Sequence, residues 1–353
     1  MTEMSTHDPA AGVAARRLPR AELLRLHELM VEGRGLEERL IRMQRQGEGY
    51  FWIGGPGEEA FNASLGLLVK KGRGLDHDFL HLHYRSSATL LAMGAPSIDA
   101  LRQMANRTTD PYSRGRNFVG HFSKREWNVI PVTSPIEVQY AIAIGTGLAQ
   151  RRSGCTGLTV VQGGDAGSAE GEFASCLIWA SRPGAELPML IVVANNAYGI
   201  STPAHTQHGE KRIVDRGIAF GIRAFTCDGN DAEDSYLTLR EALDYVRSER
   251  RPAILECHLS RLYGHSSSSG SNRVPDEVDC LDVIEERLAA RGWRSREESK
   301  ALFAEHEARM QEAHKQVLTE PRPTGEQIWE HVFADRNVVA EDLAAPGPAA
   351  EDR

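Results

Sequence analysis

The sequence predicts an α/β protein: a mostly parallel sheet with helices on both faces, followed by a helical C-terminal appendage. Three observations predict it. Apolar, β-branched runs recur from residue 157 to 261 ("GLTVVQG", "PMLIVVAN", "IRAFTCDG", "PAILECHLSR"). Helical stretches between them match the alternation that buries a parallel sheet on both faces. At 353 residues, 41% hydrophobic and 25% charged, the chain has ample material for such a core.

Residues 1–18 are Ala/polar-rich and predict a loose tail. From Pro19 to Gly47, Leu23, Leu26, Met30, Leu36, Leu40 and Met43 recur every three to four residues. That spacing predicts a helix, locally weakened by Gly33 and Gly35. The turn "YFWIGGPGEEA" leads into a helix over 58–69. "HYRSSATLLAMGAP" reads as a strand end or turn entering a helix, and "SIDALRQMANR" as another helix. Residues 108–132 form a long connection of the kind a domain keeps for use. "IEVQYAIAIGTGLAQRR" is almost wholly apolar and predicts a deeply buried helix. Strand 157–163, helix 168–182, strand 188–195, strand 222–229, helix 232–249 and strand 252–261 follow. Residues 281–320 are helical, charged and expected at the surface. The division predicted is a tail over 1–18, an α/β domain over 19–275, a helical extension over 276–335 and a Pro/Ala/acid-rich tail over 336–353.

Parallel sheets bind ligands beyond the carboxyl ends of their strands. Asp165 follows one predicted strand. Asn195, Asn196 and Tyr198 follow the next, thirty residues later. One carboxylate, one carboxamide oxygen and one backbone carbonyl converging there make a hard-oxygen set suited to Mg²⁺ or Ca²⁺. The Gly-Ser turn beside Asp165 opens a helix whose free N–H groups suit an anion. Taken singly, Asp165 is an ordinary helix cap and Asn195-Asn196 an ordinary turn. The pair at neighbouring strand ends points to a metal-bound diphosphate.

Five segments in order, "HYRSSA", "VTSPIEVQ", "GDAGSAEGEF", "NNAYGIST" and "RLYGHSSSSGSNR", resemble the α subunits of thiamine diphosphate-dependent 2-oxo acid dehydrogenase E1 components. The resemblance covers residues 50–275 and extends weakly to "IWEHVFAD". It implies a thiamine diphosphate-binding fold with Mg²⁺ held by the side chains of Asp165 and Asn196 and the carbonyl of Tyr198. It places Tyr84 and Arg85 on the diphosphate, and Ser134 and Ile136 near the coenzyme's rings. Gly164, Asp165, Ala166 and Gly167 form the metal turn, Glu170 in the helix after it bonds within the site, and His265 is the candidate catalytic group reaching the diphosphate or the developing intermediate. The implied activity is oxidative decarboxylation of a 2-oxo acid, with acyl transfer to a lipoyl-bearing E2 acyltransferase. The carboxylate this chemistry needs against the aminopyrimidine comes, in two-subunit relatives, from a β subunit, so an α₂β₂ tetramer is expected.

"TSPI" is closer to branched-chain enzymes of the 3-methyl-2-oxobutanoate type than to pyruvate or acetoin enzymes, which remain the alternative. Tyr50, Phe51 and Trp52 are candidates either for an apolar pocket wall or for plain core. Ala194 stands where some branched-chain relatives bring an arginine to the diphosphate. Val138 stands where they carry a threonine that helps bind potassium, although Gln139 is retained. Ser269, Gly270 and Ser271 replace the usual Asp pair, and Ser266 matches a position phosphorylated in mitochondrial relatives. These departures also admit a subunit that binds cofactor and serves assembly without turnover. An NAD-binding reading fails because "GTGLAQ" lies inside an apolar helix with no strand before it.

The formal charge of −8 gives no reason to expect a nucleic-acid or anionic-membrane partner. Five cysteines without a CxxC pair read as reduced core thiols. With no apolar leader in the first residues, a cytoplasmic location is expected.

Overall fold

The structure, a computed structural model, describes residues 17–330. It opens with helix α1 (Arg20–Arg45), then α2 (Glu59–Leu68), strand β1 (Phe79–His81), α3 (Ser87–Ala92) and α4 (Ser97–Met104). After a long connection come α5 (Val138–Ser153), β2 (Thr159–Gly164), α6 (Gly171–Ala180) and β3 (Met189–Asn195). A two-residue hairpin, β4 (Tyr198–Gly199) and β5 (Thr202–Pro203), leads to α7 (Asp215–Ala219), β6 (Arg223–Asp228), α8 (Ala232–Glu249) and β7 (Ala253–His258). Helices α9 (Cys280–Ala290) and α10 (Arg296–Thr319) close the described chain.

The main sheet has five strands in the order β1-β2-β3-β7-β6, and every pairing is parallel. Strand alternation sends side chains to opposite faces. Val160, Leu190, Val192, Ala194 and Leu255 pack with Leu239, Leu243 and Val246 of α8 on one face. Val161, Ile191, Val193 and Ile254 pack with Tyr140 of α5 and Phe173 and Leu177 of α6 on the other. Both faces are therefore covered, as the apolar runs predict. The carboxyl ends of β1, β2, β3 and β7 share one edge, and each is followed by a segment singled out in the sequence.

Three expectations need amendment. Helix α5 is not deeply buried: Gln139, Tyr140, Ala143, Gly147 and Gln150 are covered, while Ala141, Ile142 and Gly145 are exposed. Its side chains meet the sheet along one stripe only, and no element among the described residues covers the apolar opposite stripe. The neighbouring α6 likewise exposes Ile178 and Trp179. Second, the C-terminal helices do not stand off as an appendage. Cys280, Leu281, Ile284 and Leu288 share a core cluster with Leu23, Leu26 and Met30 of α1. The buried guanidinium of Arg34 clamps them, bonding Glu59 and Asp279 at 2.6–3.0 Å. Third, Leu18, assigned to the loose tail, is buried, and its N–H donates to Glu233 at 2.7 Å. Residues 1–16 and the tail over 336–353 lie outside the described residues, as does most of "IWEHVFAD".

Gly33 and Gly35 do not interrupt α1. Gly33 instead lets α3 approach, since a Cβ there would sit 3.2 Å from that of Ala88. The five cysteines are unpaired, and four of them are buried. No helix among the described residues is long and apolar enough to cross a membrane.

Candidate active site

Strand β2 delivers Asp165 and β3 delivers Asn196 to the same edge of the sheet. The Asp165 carboxylate is buried and accepts from the backbone N–H groups of Ala166 and Asn196, so the two strand ends touch. Its Oδ2 has no hydrogen-bond partner. Burial raises its pKa, partly offset by those N–H groups and by the nearby His208. An orphaned, buried carboxylate oxygen costs free energy unless something binds it. The Asn196 side-chain oxygen accepts from the Tyr198 N–H at 3.2 Å, which fixes its rotamer. Gly199 permits this packing, because a Cβ there would press to 2.6 Å on that of Ala166. The donor types are those of a hard cation, not of a zinc or thiolate site.

The adjoining half of the site is cationic. Tyr84 and Arg85 follow β1, and His265 lies beyond β7. Arg85 is buried; it donates to the Gly54 carbonyl, to His265 Nδ1 at 3.1 Å and to the His265 carbonyl at 3.2 Å. Its Nε lies 3.7 Å from the buried Glu58, whose own pKa burial pushes up to about 7 against the pull of Arg85. The Asn196 side chain is also near enough to oppose that rise, so this carboxylate lies between both halves of the site. Because a guanidinium only donates, His265 Nδ1 accepts and the ring proton sits on Nε2. Burial, then Arg85 and Arg261, lower the His265 pKa to about 4, so the ring is neutral near pH 7. Tyr84 packs against His83 and, edge-on, against His265.

Ser134 and Ile136 sit on the connection before α5. Ser134 Oγ donates to His121 Nε2 at 2.7 Å, since His121 Nδ1 faces the Val119 carbonyl. Ile136 is more than half exposed. The next residue, Glu137, has φ 63° and turns its carboxyl inward against the Asp165 turn, where it accepts from the Gly164 N–H at 3.0 Å. Its carboxyl fills the space that a Cβ on Gly163 or Gly167 would need.

The sequence profile of the family described as dehydrogenase E1 component matches residues 27–326. The chain belongs to the dehydrogenase E1 component family. It is 28% identical over 321 residues to the 2-oxoisovalerate dehydrogenase subunit alpha of Bacillus subtilis, covering 89% of this chain and 96% of that one. It is 26% identical over 328 residues to the mitochondrial 2-oxoisovalerate dehydrogenase subunit alpha of Homo sapiens, covering 90% of this chain and 72% of that one. With the first such protein of Arabidopsis thaliana it shares 29% over 313 residues, covering 84% and 65%. Membership in this E1 family implies use of thiamine diphosphate.

Among the residues picked out in the sequence, Asp165, Asn196, Tyr198, Tyr84, Arg85 and His265 assemble at one edge of this E1 chain. Gly164, Ala166 and Gly167 form the turn beneath them. Glu170 does not join: it is exposed at the N-cap of α6, beyond the turn. Gln139 spends its amide on Glu137 and the Gln162 carbonyl, at 3.0 and 3.1 Å, and its oxygen accepts from Thr133. Trp52 is fully buried and donates to Glu37 at 3.0 Å, Phe51 packs at a tilt against Phe118, and Tyr50 is exposed. The three therefore form no common wall. Sequence reasoning missed Glu58, Glu137, His121 and Arg261. A "GEE" before a helix and a glutamate after Ser-Pro-Ile carry no local signal, and their roles come from contacts distant in sequence.

Proposed function

We propose that this chain is the α subunit of a branched-chain 2-oxo acid dehydrogenase E1 component, acting on acids of the 3-methyl-2-oxobutanoate type. The names of the relatives support the substrate class. The observation that carries the chemistry is the unpartnered, buried oxygen of Asp165 beside Asn196 at the adjacent strand end.

Asp165, Asn196 and the Tyr198 carbonyl would hold Mg²⁺, whose remaining positions suit phosphate oxygens and water. Thiamine diphosphate, when bound, supplies the electron sink for breaking the bond between carboxylate and keto carbon. Arg85 offers charge-assisted donors to the diphosphate, held in place by Gly54 and Glu58. The Nε2–H of His265 is a neutral donor, suited to an oxyanion and unable to compete as a cation near pH 7. Its orientation is set by Arg85 through Nδ1.

The carboxylate for the aminopyrimidine belongs to a β subunit in this reading. The described residues hold one five-stranded sheet and a two-residue hairpin pair, so the chain carries no second such domain there. The exposed apolar stripe of α5 and α6 supports a covering subunit in an α₂β₂ assembly, with a lipoyl-bearing E2 as acyl acceptor.

The test is co-expression with an E1 β subunit from the same source, followed by decarboxylation assays with an artificial electron acceptor. The complex should turn over 3-methyl-2-oxobutanoate in preference to pyruvate, and the α chain alone should be inert. Full-rate turnover by the α chain alone would refute the half-site reading, and a preference for pyruvate would refute the substrate assignment.

A further inference from the structure

Arg261 lies three residues beyond β7 and is pinned on both sides. The Ser260 N–H donates to Asn230 Oδ1 at 3.1 Å, and the Leu262 N–H donates to the Pro56 carbonyl at 3.0 Å. The residue is only 9% exposed, yet its Nε and Nη1 have no hydrogen-bond partner. Its guanidinium carbon sits 5.2 Å from the centre of the Tyr198 ring, on the hairpin that follows Asn196. Arg85, Tyr84, Asp165 and Glu277 are close enough to act on its charge, although neither acid pairs with it.

A buried guanidinium needs an anion. Arg34, the most buried arginine outside the site, has two carboxylates. Arg261 has no ion pair among the described residues, and residues 266–271 of the following loop carry no acid. On β3, Ala194 contributes no charge either, although it pairs in register with Cys257, four residues before Arg261. Burial first, then repulsion from Arg85, lowers its pKa, as expected for a cation held without its counter-ion. The site therefore presents two guanidiniums, of which Arg85 is already bonded to protein on three sides. The unsatisfied donor edge belongs to Arg261.

We propose that Arg261 is the second diphosphate-binding cation of this site, its free donor edge taking a phosphate of the coenzyme beside the metal ligands. This rests on the thiamine diphosphate reading above and adds a residue to it. The same donor edge also suits the carboxylate of a 2-oxo acid, and the experiment separates the two.

The αβ complex, stripped of coenzyme, is titrated with thiamine diphosphate at fixed Mg²⁺ by calorimetry, and its thermal shift with inorganic pyrophosphate is recorded. Arg261→Met should raise the coenzyme Kd by at least about tenfold and abolish the pyrophosphate shift. Arg261→Lys, which keeps the charge but not the fork, should fall between. At saturating coenzyme, the KM for the 2-oxo acid should stay within about twofold, the spread expected for a contact it does not make. An unchanged coenzyme Kd and pyrophosphate shift would overturn the proposal, and so would a raised 2-oxo acid KM with unchanged coenzyme Kd. Asp165→Asn is the reference. If it abolishes Mg²⁺-dependent binding while Arg261→Met does not, Arg261 alone is misassigned; if neither affects binding, the site itself is. Should Arg261→Met fail to assemble with β, the Arg261→Lys titration decides, and a coenzyme Kd equal to wild type overturns the proposal.

Discussion

Arg85 Nη2 stands 3.1 Å from Nδ1 of His265, a residue 180 positions later in the chain. The contact joins the carboxyl ends of β1 and β7, which lie on opposite sides of β2 and β3 in the sheet. It also decides the tautomer of the histidine, so one hydrogen bond sets both where the ring points and which nitrogen donates.

The activity profile should show no ionisation of His265 near its ordinary value. With the ring pKa lowered to about 4, it is neutral from pH 5 upward. Replacing Arg85 removes one of the cations that hold it down. The NMR titration of His265 in Arg85→Met should move toward the ordinary imidazole range, whereas wild type stays flat above pH 5. His265→Asn should lower kcat by about two orders of magnitude, the range for loss of one donor to a developing oxyanion, with a smaller change in coenzyme Kd.

Asp165 sets function against stability. Its carboxylate is buried with one oxygen unsatisfied and its pKa raised by burial. Asp165→Asn should stabilise the coenzyme-free protein by about 1 kcal/mol, as substitutions at strained functional sites do, while removing the stabilisation gained on adding Mg²⁺ and thiamine diphosphate. Differential scanning calorimetry with and without both ligands reads the two effects separately.

Glu137 makes stability depend on pH. Burial, then Asp165 and Glu170, push its pKa up to about 8 from an ordinary 4.5, so the folded state holds the proton that the unfolded state releases. Its contribution is complete below about pH 4.5 and is lost as pH rises through about 8. Urea unfolding of Glu137→Gln, which keeps a neutral hydrogen-bonding group, should lose less stability than wild type between pH 5 and 8.5.

Gly57 carries φ +104°, and a side chain there would run into the Ser260 carbonyl, next to Arg261. Gly57→Ala should destabilise the chain by about 2 kcal/mol or more, through the strained φ and the forced shift together. Because the displaced segment carries Arg261 and His265, coenzyme affinity should fall as well, measurable in the same calorimetric titration.

The strand-helix alternation was legible because apolar β-branched runs and helical periodicity are local. Helix 232–249 and strand β3 came out within a residue of their ends for that reason. The pairing of Asp165 with Asn196 was legible because neighbouring parallel strands bring successive strand ends together. What escaped depends on other surfaces. The apolar sequence of α5 does not say that Ile142 faces outward, since periodicity is silent when nearly every position is apolar. Glu137 adopts a left-handed backbone that no glycine or asparagine announces. Arg261 stands in a quoted motif, but only its unmatched burial distinguishes it from a surface arginine.

The central claim is that a divalent ion sits between the ends of β2 and β3 and pins the coenzyme's diphosphate. Crystals of the αβ complex grown with Mn²⁺ and thiamine diphosphate, with data collected at the manganese absorption edge, test it most directly. An anomalous peak is expected within bonding distance of Asp165, Asn196 and the Tyr198 carbonyl, with phosphate density against it. Coenzyme density with no anomalous peak there, or a peak ligated elsewhere, would contradict it.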